Sequence, residues 1–165
     1  MIFVTVGTHE QPFDRLVKEM DRLKDERVIE EDVVIQTGFG TYEPRHCKWN
    51  KWIPYQDMVK YVSEARIVIT HGGPASFMMP LQYEKIPVVV PRQKQFGEHV
   101  NDHQVEFVRT VAKRNRIIPI YDIGELGDVL QEYETYVASK GHSFKSNNER
   151  FNDLFNHNVQ EMFRG

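Results

Sequence analysis

Cysteine is almost absent from this sequence: Cys47 stands alone among 165 residues. No internal disulfide can form, which suits a reducing compartment. No apolar run reaches the roughly 18 residues that cross a bilayer. The opening apolar stretch, Met1-Ile2-Phe3-Val4-Thr5-Val6, has no basic segment ahead of it and gives way at once to Gly7-Thr8-His9-Glu10. It is too short for the core of a signal peptide, so a cytoplasmic protein is expected. Charge of one sign is also scarce. Lys and Arg number 21 against 24 Asp and Glu, a formal net charge of -3, and nucleic acid is not expected as a partner. No Gly-Lys-Ser/Thr phosphate loop occurs, so ATPase chemistry is not indicated. Gly38-Phe39-Gly40 follows a strand pattern, but Glu43 and Pro44 stand where a dinucleotide fingerprint needs its third glycine and a helix.

Short β-rich apolar runs alternate with helical patterns. Strands are expected over residues 2–6, 33–37, 48–53, 67–70, 88–90 and 117–120. Between them, Phe13, Leu16, Val17, Met20 and Leu23 recur at helical spacing after Pro12. Met58, Tyr61, Val62 and Ala65 mark a second helix, and residues 75–84 a third. Val100, Gln104, Phe107, Val108 and Val111 share one face of a fourth. Leu126, Val129, Leu130, Tyr133 and Val137 share one face of a fifth. Alternation of this kind implies parallel strands joined by right-handed crossovers. Continuous Val/Ile runs fit strands covered on both faces. The expected fold is α/β: a single Rossmann-like, doubly wound parallel sheet over residues 1–138, with ligands at the carboxyl ends of its strands. A polar linker is expected over residues 139–148. An amphipathic helix is expected over residues 149–165, with Phe151, Leu154, Phe155, Val159, Met162 and Phe163 as its apolar stripe.

The segment richest in chemistry is Thr70-His71-Gly72-Gly73-Pro74-Ala75-Ser76. Two glycines allow close approach to the backbone, and Pro74 suits a first helical position. The amides of Ala75, Ser76 and Phe77 then become candidates to face an anion at a helix N-terminus. Taken alone, Gly-Gly-Pro more often makes a tight turn with no ligand. A second small-residue loop, Gly7-Thr8-His9-Glu10-Gln11, follows the first strand and opens on the same edge of a parallel sheet. Together the two loops outline a diphosphate cradle. A third segment, residues 95–104, is dense in hydrogen-bonding groups of the kind that pair with sugar hydroxyls; it reads equally as a helix cap with solvated polar residues. His99, Asp102 and His103 lack the further ligand spacing that zinc needs, and no metal is expected.

As an ordered set these segments resemble the nucleotide-sugar-binding domain of family 28 GT-B glycosyltransferases. The residues are Phe3-Val4-Thr5-Val6-Gly7-Thr8, Phe13-Asp14, Val34-Ile35-Gln36-Thr37-Gly38, His71-Gly72-Gly73-Pro74-Ala75-Ser76, Pro87-Val88-Val89-Val90-Pro91-Arg92 and Asn101-Asp102-His103-Gln104. The sequence is similar to small soluble subunits of bacterial exopolysaccharide and capsule transferases. It is similar too to the cytosolic subunit of the two-subunit UDP-GlcNAc transferase of dolichol-linked glycan synthesis.

The resemblance implies a UDP-sugar donor and no cofactor. Gly7, Thr8 and His9 would flank the diphosphate, and His71, Gly72, Gly73, Ala75 and Ser76 would hold it. Asp102, His103 and Gln104 would meet the donor sugar, and Trp52 and Ile53 the uracil. Trp52 reads equally as a core or interface aromatic. Relatives often carry a glutamate after the serine for the ribose; Phe77-Met78-Met79-Pro80 offers none here, and Glu98 is the expected substitute. No catalytic base is assigned. The resemblance further implies a membrane-anchored, acceptor-binding partner subunit, a lipid-linked glycan acceptor and recruitment to the inner face of the membrane through that partner. A non-catalytic enhancer of such a partner is the competing expectation. An isolated subunit is also expected to be able to self-associate as a homo-oligomer.

Overall fold

The computed structural model describes residues 1–144. The stripe from Phe151 to Phe163 lies outside the described residues. In chain order the elements are β1 (Ile2–Thr5), α1 (Asp14–Asp25), β2 (Val33–Gln36), β3 (Lys48–Asn50), α2 (Tyr55–Glu64) and β4 (Ile67–His71). Then follow α3 (Pro74–Gln82), β5 (Val88–Val90), α4 (His103–Ala112), β6 (Ile118–Pro119), α5 (Leu126–Gln131) and α6 (Tyr133–Phe144). The six strands form one sheet in the order β3-β2-β1-β4-β5-β6, and every neighbouring pair is parallel. β1 is central, with Ile2 opposite Val33 on one side and Ile67 on the other.

Both faces are covered, as the unbroken apolar strands require. On one face Ile2, Val4 and Val6 pack with Leu16, Val17, Met20 and Leu23 of α1 and with Leu126, Val129 and Leu130 of α5. On the other, Phe3 and Val68 meet Val62 and Ala65 beside α2, while Val89 meets Phe77 and Leu81 of α3 and Phe107, Val108 and Val111 of α4. The architecture expected from the strand–helix alternation is the one observed.

Local differences have local causes. α4 starts at His103, and Val100 is 66% exposed rather than on its buried face. Asn101 Oδ1 accepts from the His103 amide at 3.0 Å, an Asx turn directly ahead of the helix. The stretch expected as one helix over residues 126–137 breaks at Glu132. The break turns Tyr133 inward, where its hydroxyl donates to the Ile86 carbonyl at 2.7 Å. α6 then continues to Phe144, through the first part of the segment expected as a linker. β3 is shorter than expected and ends at Asn50. Asp21 ties the approach to β3 onto α1, accepting from the Tyr42 hydroxyl (2.5 Å) and the amides of Arg45 (3.1 Å) and His46 (2.8 Å). Burial alone would raise the pKa of Asp21, but these bonds outweigh it and hold the value below the usual carboxylate range.

Candidate functional site

The strand order reverses direction between β1 and β4. Loops leaving two such strands diverge to opposite faces of the sheet, and a crevice opens between them. Here the loops are residues 6–13 and the turn Gly72-Gly73. A cavity of about 550 Å³ lies between them, within the size range of small-molecule sites. It is lined by Gly7, Thr8, His9, Trp52, Ile53, His71, Gly73, Ala75 and Ser76, all expected from the sequence. Thr5, Gln36, Tyr55, Met58 and Pro74 complete the lining and lie outside that expectation. Among the described residues no carboxylate borders the cavity.

The floor is rigid because its polar groups are paired. Gln36 Oε1 accepts from Thr5 Oγ1 at 2.6 Å and from the Gly7 amide at 3.1 Å. Its Nε2 donates to the carbonyls of Gly7 (3.1 Å) and Lys51 (2.9 Å). One amide side chain therefore joins the ends of β1, β2 and β3. The sequence signal for this role is a glutamine at the end of an otherwise apolar buried strand.

His71 is the centre of the site. Its ring lies between two glycines. A Cβ on Gly7 would sit 2.3 Å from Nε2, and one on Gly73 would sit 2.2 Å from Cε1. Gly7 also has φ near +80°, where side chains are rarely tolerated. The glycines thus make room for a ring of the protein itself, beyond any approach by a ligand. The Gly73 amide donates to His71 Nδ1 at 3.1 Å. An amide can only donate, so Nδ1 bears the lone pair and the ring proton is on Nε2. Nε2 lies 2.8 Å from Ser76 Oγ and donates to it, leaving the Ser76 hydroxyl hydrogen free for the cavity. Burial and the nearby Arg92 charge push the His71 pKa down to about 3, so the ring is neutral at physiological pH.

The start of α3 contributes less than three free amides. Ser76 N–H is bonded to the Gly73 carbonyl at 3.1 Å. Ala75, the second residue of the helix, has no intrahelical acceptor for its N–H. The polar end of the cavity is therefore built from the Ala75 amide, the Ser76 hydroxyl and Thr8. The other end is formed by Ile53, Trp52, Tyr55 and Met58. Trp52 is half-exposed and meets Phe39 edge-on, with ring centroids 5.0 Å apart.

The remaining expected site residues do not line the cavity. Gly72 packs against Gln104 and Val108. Gln104 is buried; its Oε1 accepts from the amides of Gly72 (3.1 Å) and Arg92 (3.0 Å), and its Nε2 is 3.4 Å from His71 Nδ1. Glu98, expected at the ribose, turns inward to Arg15 (2.9 Å) and the Gln93 amide (3.1 Å). Asp102 caps the Lys94 amide at 2.9 Å, and His103 is exposed beside Glu106. Their segment still reaches the cavity indirectly. His99 stacks on the lining residue His9 with centroids 4.4 Å apart and planes 6° from parallel.

Fold and cavity together define a doubly wound α/β domain with an opening at its switch point, lined by the Thr8 and Ser76 hydroxyls near β1 and β4 and by Trp52, Ile53, Tyr55 and Met58 around the start of α2. The chain belongs to the family described as glycosyltransferase family 28 C-terminal domain, which it matches over residues 1–154. It is 30% identical over 124 residues to the UDP-N-acetylglucosamine transferase subunit ALG13 of Mus musculus. That match covers 70% of this chain and 10% of the relative, so the chain spans about a tenth of the curated relative's length. Among solved structures, a glycotransferase of kitacinnamycin superposes with a TM-score of 0.61 at 18% identity, covering 97% of this chain and 41% of that one. The glycosyltransferase SnogD from Streptomyces nogalater superposes with a TM-score of 0.53 at 16% identity, covering 93% and 42%. Both share the fold.

Proposed function

We propose that this chain is the donor-binding component of a two-component, inverting glycosyltransferase that takes a hexose from a UDP-sugar to a lipid-linked glycan. The observation that carries the reading is the polarity of the switch-point cavity. Its polar end offers the Ser76 hydroxyl, Thr8 and the Ala75 amide to a diphosphate, with no carboxylate among the described lining residues to repel it. The positive end of the α3 dipole adds to that attraction. The apolar end offers Trp52, Tyr55 and Met58 to a nucleobase. Amides, hydroxyls and the helix dipole then meet the charge that grows on the leaving diphosphate, in place of a metal ion.

An acceptor site is supplied from outside the described residues, by a membrane-anchored partner that recruits this chain to the inner membrane face. Exopolysaccharide or capsule synthesis is the proposed setting. No helix among the described residues is long and apolar enough to cross a membrane; in this proposal the partner carries the anchor. Support for a partnered arrangement comes from the family and from the word "subunit" in the curated relative's name.

Titration calorimetry with UDP, uridine and a panel of UDP-hexoses tests donor binding, and turnover on a lipid acceptor with the partner present tests catalysis. UDP binding that is lost in Ser76→Ala together with Thr8→Ala is expected. A chain that binds no UDP, alone or in complex, yet raises the partner's turnover would instead be an enhancer.

A further inference from the structure

Arg92 is among the largest fully buried side chains of the described residues, at 1% exposure. It follows β5 and lies behind the cavity, outside its lining. Its Nη2 donates to the Val6 carbonyl at 2.7 Å and its Nη1 to the Gln11 carbonyl at 2.6 Å. Val6 and Gln11 bracket the segment that carries Gly7, Thr8 and His9, so one guanidinium fork closes the base of that loop. Nη1 also donates to the Glu98 carbonyl at 3.1 Å, which joins the loop to the third segment.

The charge of Arg92 has no carboxylate bonded to it. The nearby acid, Glu98, directs both oxygens to Arg15, at 2.9 and 3.0 Å, and takes the Gln93 amide as well. Arg92 instead lies over the Phe13 ring, 5.0 Å from its centroid, and its Nε has no hydrogen-bond partner. Two arginines and one glutamate leave the cluster one positive charge in excess. Burial lowers the Arg92 pKa, which Glu98 partly restores, to about 10, so the group stays charged at neutral pH. Its field reaches the cavity wall: it is among the causes that depress both His71 and His99. A buried cation with no carboxylate bonded to it is costly, and an anion brought close offsets part of that cost.

We propose that Arg92 is a positioning residue for the diphosphate, one that fixes the 6–11 loop over the cavity and gives the cavity a standing preference for an anionic ligand. The proposal rests on the UDP-sugar reading and adds to the amides and hydroxyls of the cavity a formal positive charge, since no lysine or arginine is among the described lining residues.

The test is calorimetry on the full chain with UDP and uridine, for the parent, Arg92→Met, Arg92→Lys and Glu98→Gln. Arg92→Met should lose about tenfold or more in UDP affinity, the order expected for one unit charge in a partly buried site. Its uridine affinity should change far less. Arg92→Lys should keep most of the UDP preference, because the charge remains. Glu98→Gln moves the cluster charge the other way and should raise the preference for UDP over uridine; it serves as the deciding variant where Arg92→Met does not fold. Equal losses for UDP and uridine in Arg92→Met would reduce Arg92 to a purely structural part and overturn the proposal. An unchanged UDP-to-uridine ratio in Glu98→Gln would overturn it as well. A parent chain that binds no UDP would instead remove the donor-site reading itself.

Discussion

Replacing Gln104 with leucine separates two accounts of this side chain. The family resemblance implies that it contacts the donor sugar; the structure buries it beneath the His71 turn. Its Oε1 is the acceptor for the amides of Gly72 and Arg92, at 3.1 and 3.0 Å, and both residues are buried. Leucine has nearly the same volume, so a cavity contributes little. The two amides would be left unpaired, each at about 1–3 kcal/mol, for a combined loss of about 2–6 kcal/mol. That is a large part of the roughly 5–15 kcal/mol that holds a domain folded. With a urea slope of about 2 kcal/mol/M, the midpoint should fall by about 1–3 M at unchanged slope. Binding of UDP alone should weaken too, because the Gly72-Gly73 turn and the His71 ring lose their anchor. Suppose Gln104→Leu unfolds within about 0.5 kcal/mol of the parent, the range of a neutral surface change, yet discriminates UDP-hexoses less well. Gln104 would then serve the sugar directly, and its role as the anchor of the His71 turn would be refuted.

Two further outcomes follow from the same turn. The His71 pKa is about 3 when folded against a reference of 6.5, so as pH falls the unfolded chain takes the proton first. The contribution of His71 to stability should be complete above about pH 6.5 and fall by up to about 1.4 kcal/mol per pH unit between there and about pH 3. Urea midpoints from pH 7 to pH 4 should therefore drop more steeply for the parent than for His71→Gln; equal slopes would mean the ring protonates in place. Gly7→Ala puts a methyl 2.3 Å from His71 Nε2 at a φ of +80° and should cost about 1–3 kcal/mol while weakening UDP binding. Calorimetry showing parent-like affinity would show that the ring can move aside freely.

Much of the fold is legible in the sequence because its signals are local. Ile2-Phe3-Val4 and Val88-Val89-Val90 read as buried strands, and Pro74 marks the first residue of α3. The two loops at the switch point follow from their glycines and from parallel topology. What stays hidden depends on partners distant in sequence. A glutamine at residue 104 looks the same whether it points at a sugar or at the amides of Gly72 and Arg92. The inward turn of Glu98 needs Arg15, 83 residues away. The glycines read as space for a ligand because nothing local shows that the His71 ring takes that space. Val100 fits a helical period, but the chain turns at Asn101 and the helix begins only at His103.

Among the six described strands β1 is made before the others, yet it lies in the middle of the sheet. Its partner on one side, β2, begins at residue 33, and its partner on the other, β4, only at residue 67. A chain emerging from the ribosome must therefore carry an apolar strand with an open edge until the second half of the crevice has been synthesised. Exposed edges of that kind invite pairing with other chains. The architecture that places an opening at the centre of the molecule thus also makes the newborn polypeptide dependent on rapid completion, or on a chaperone, until β4 arrives.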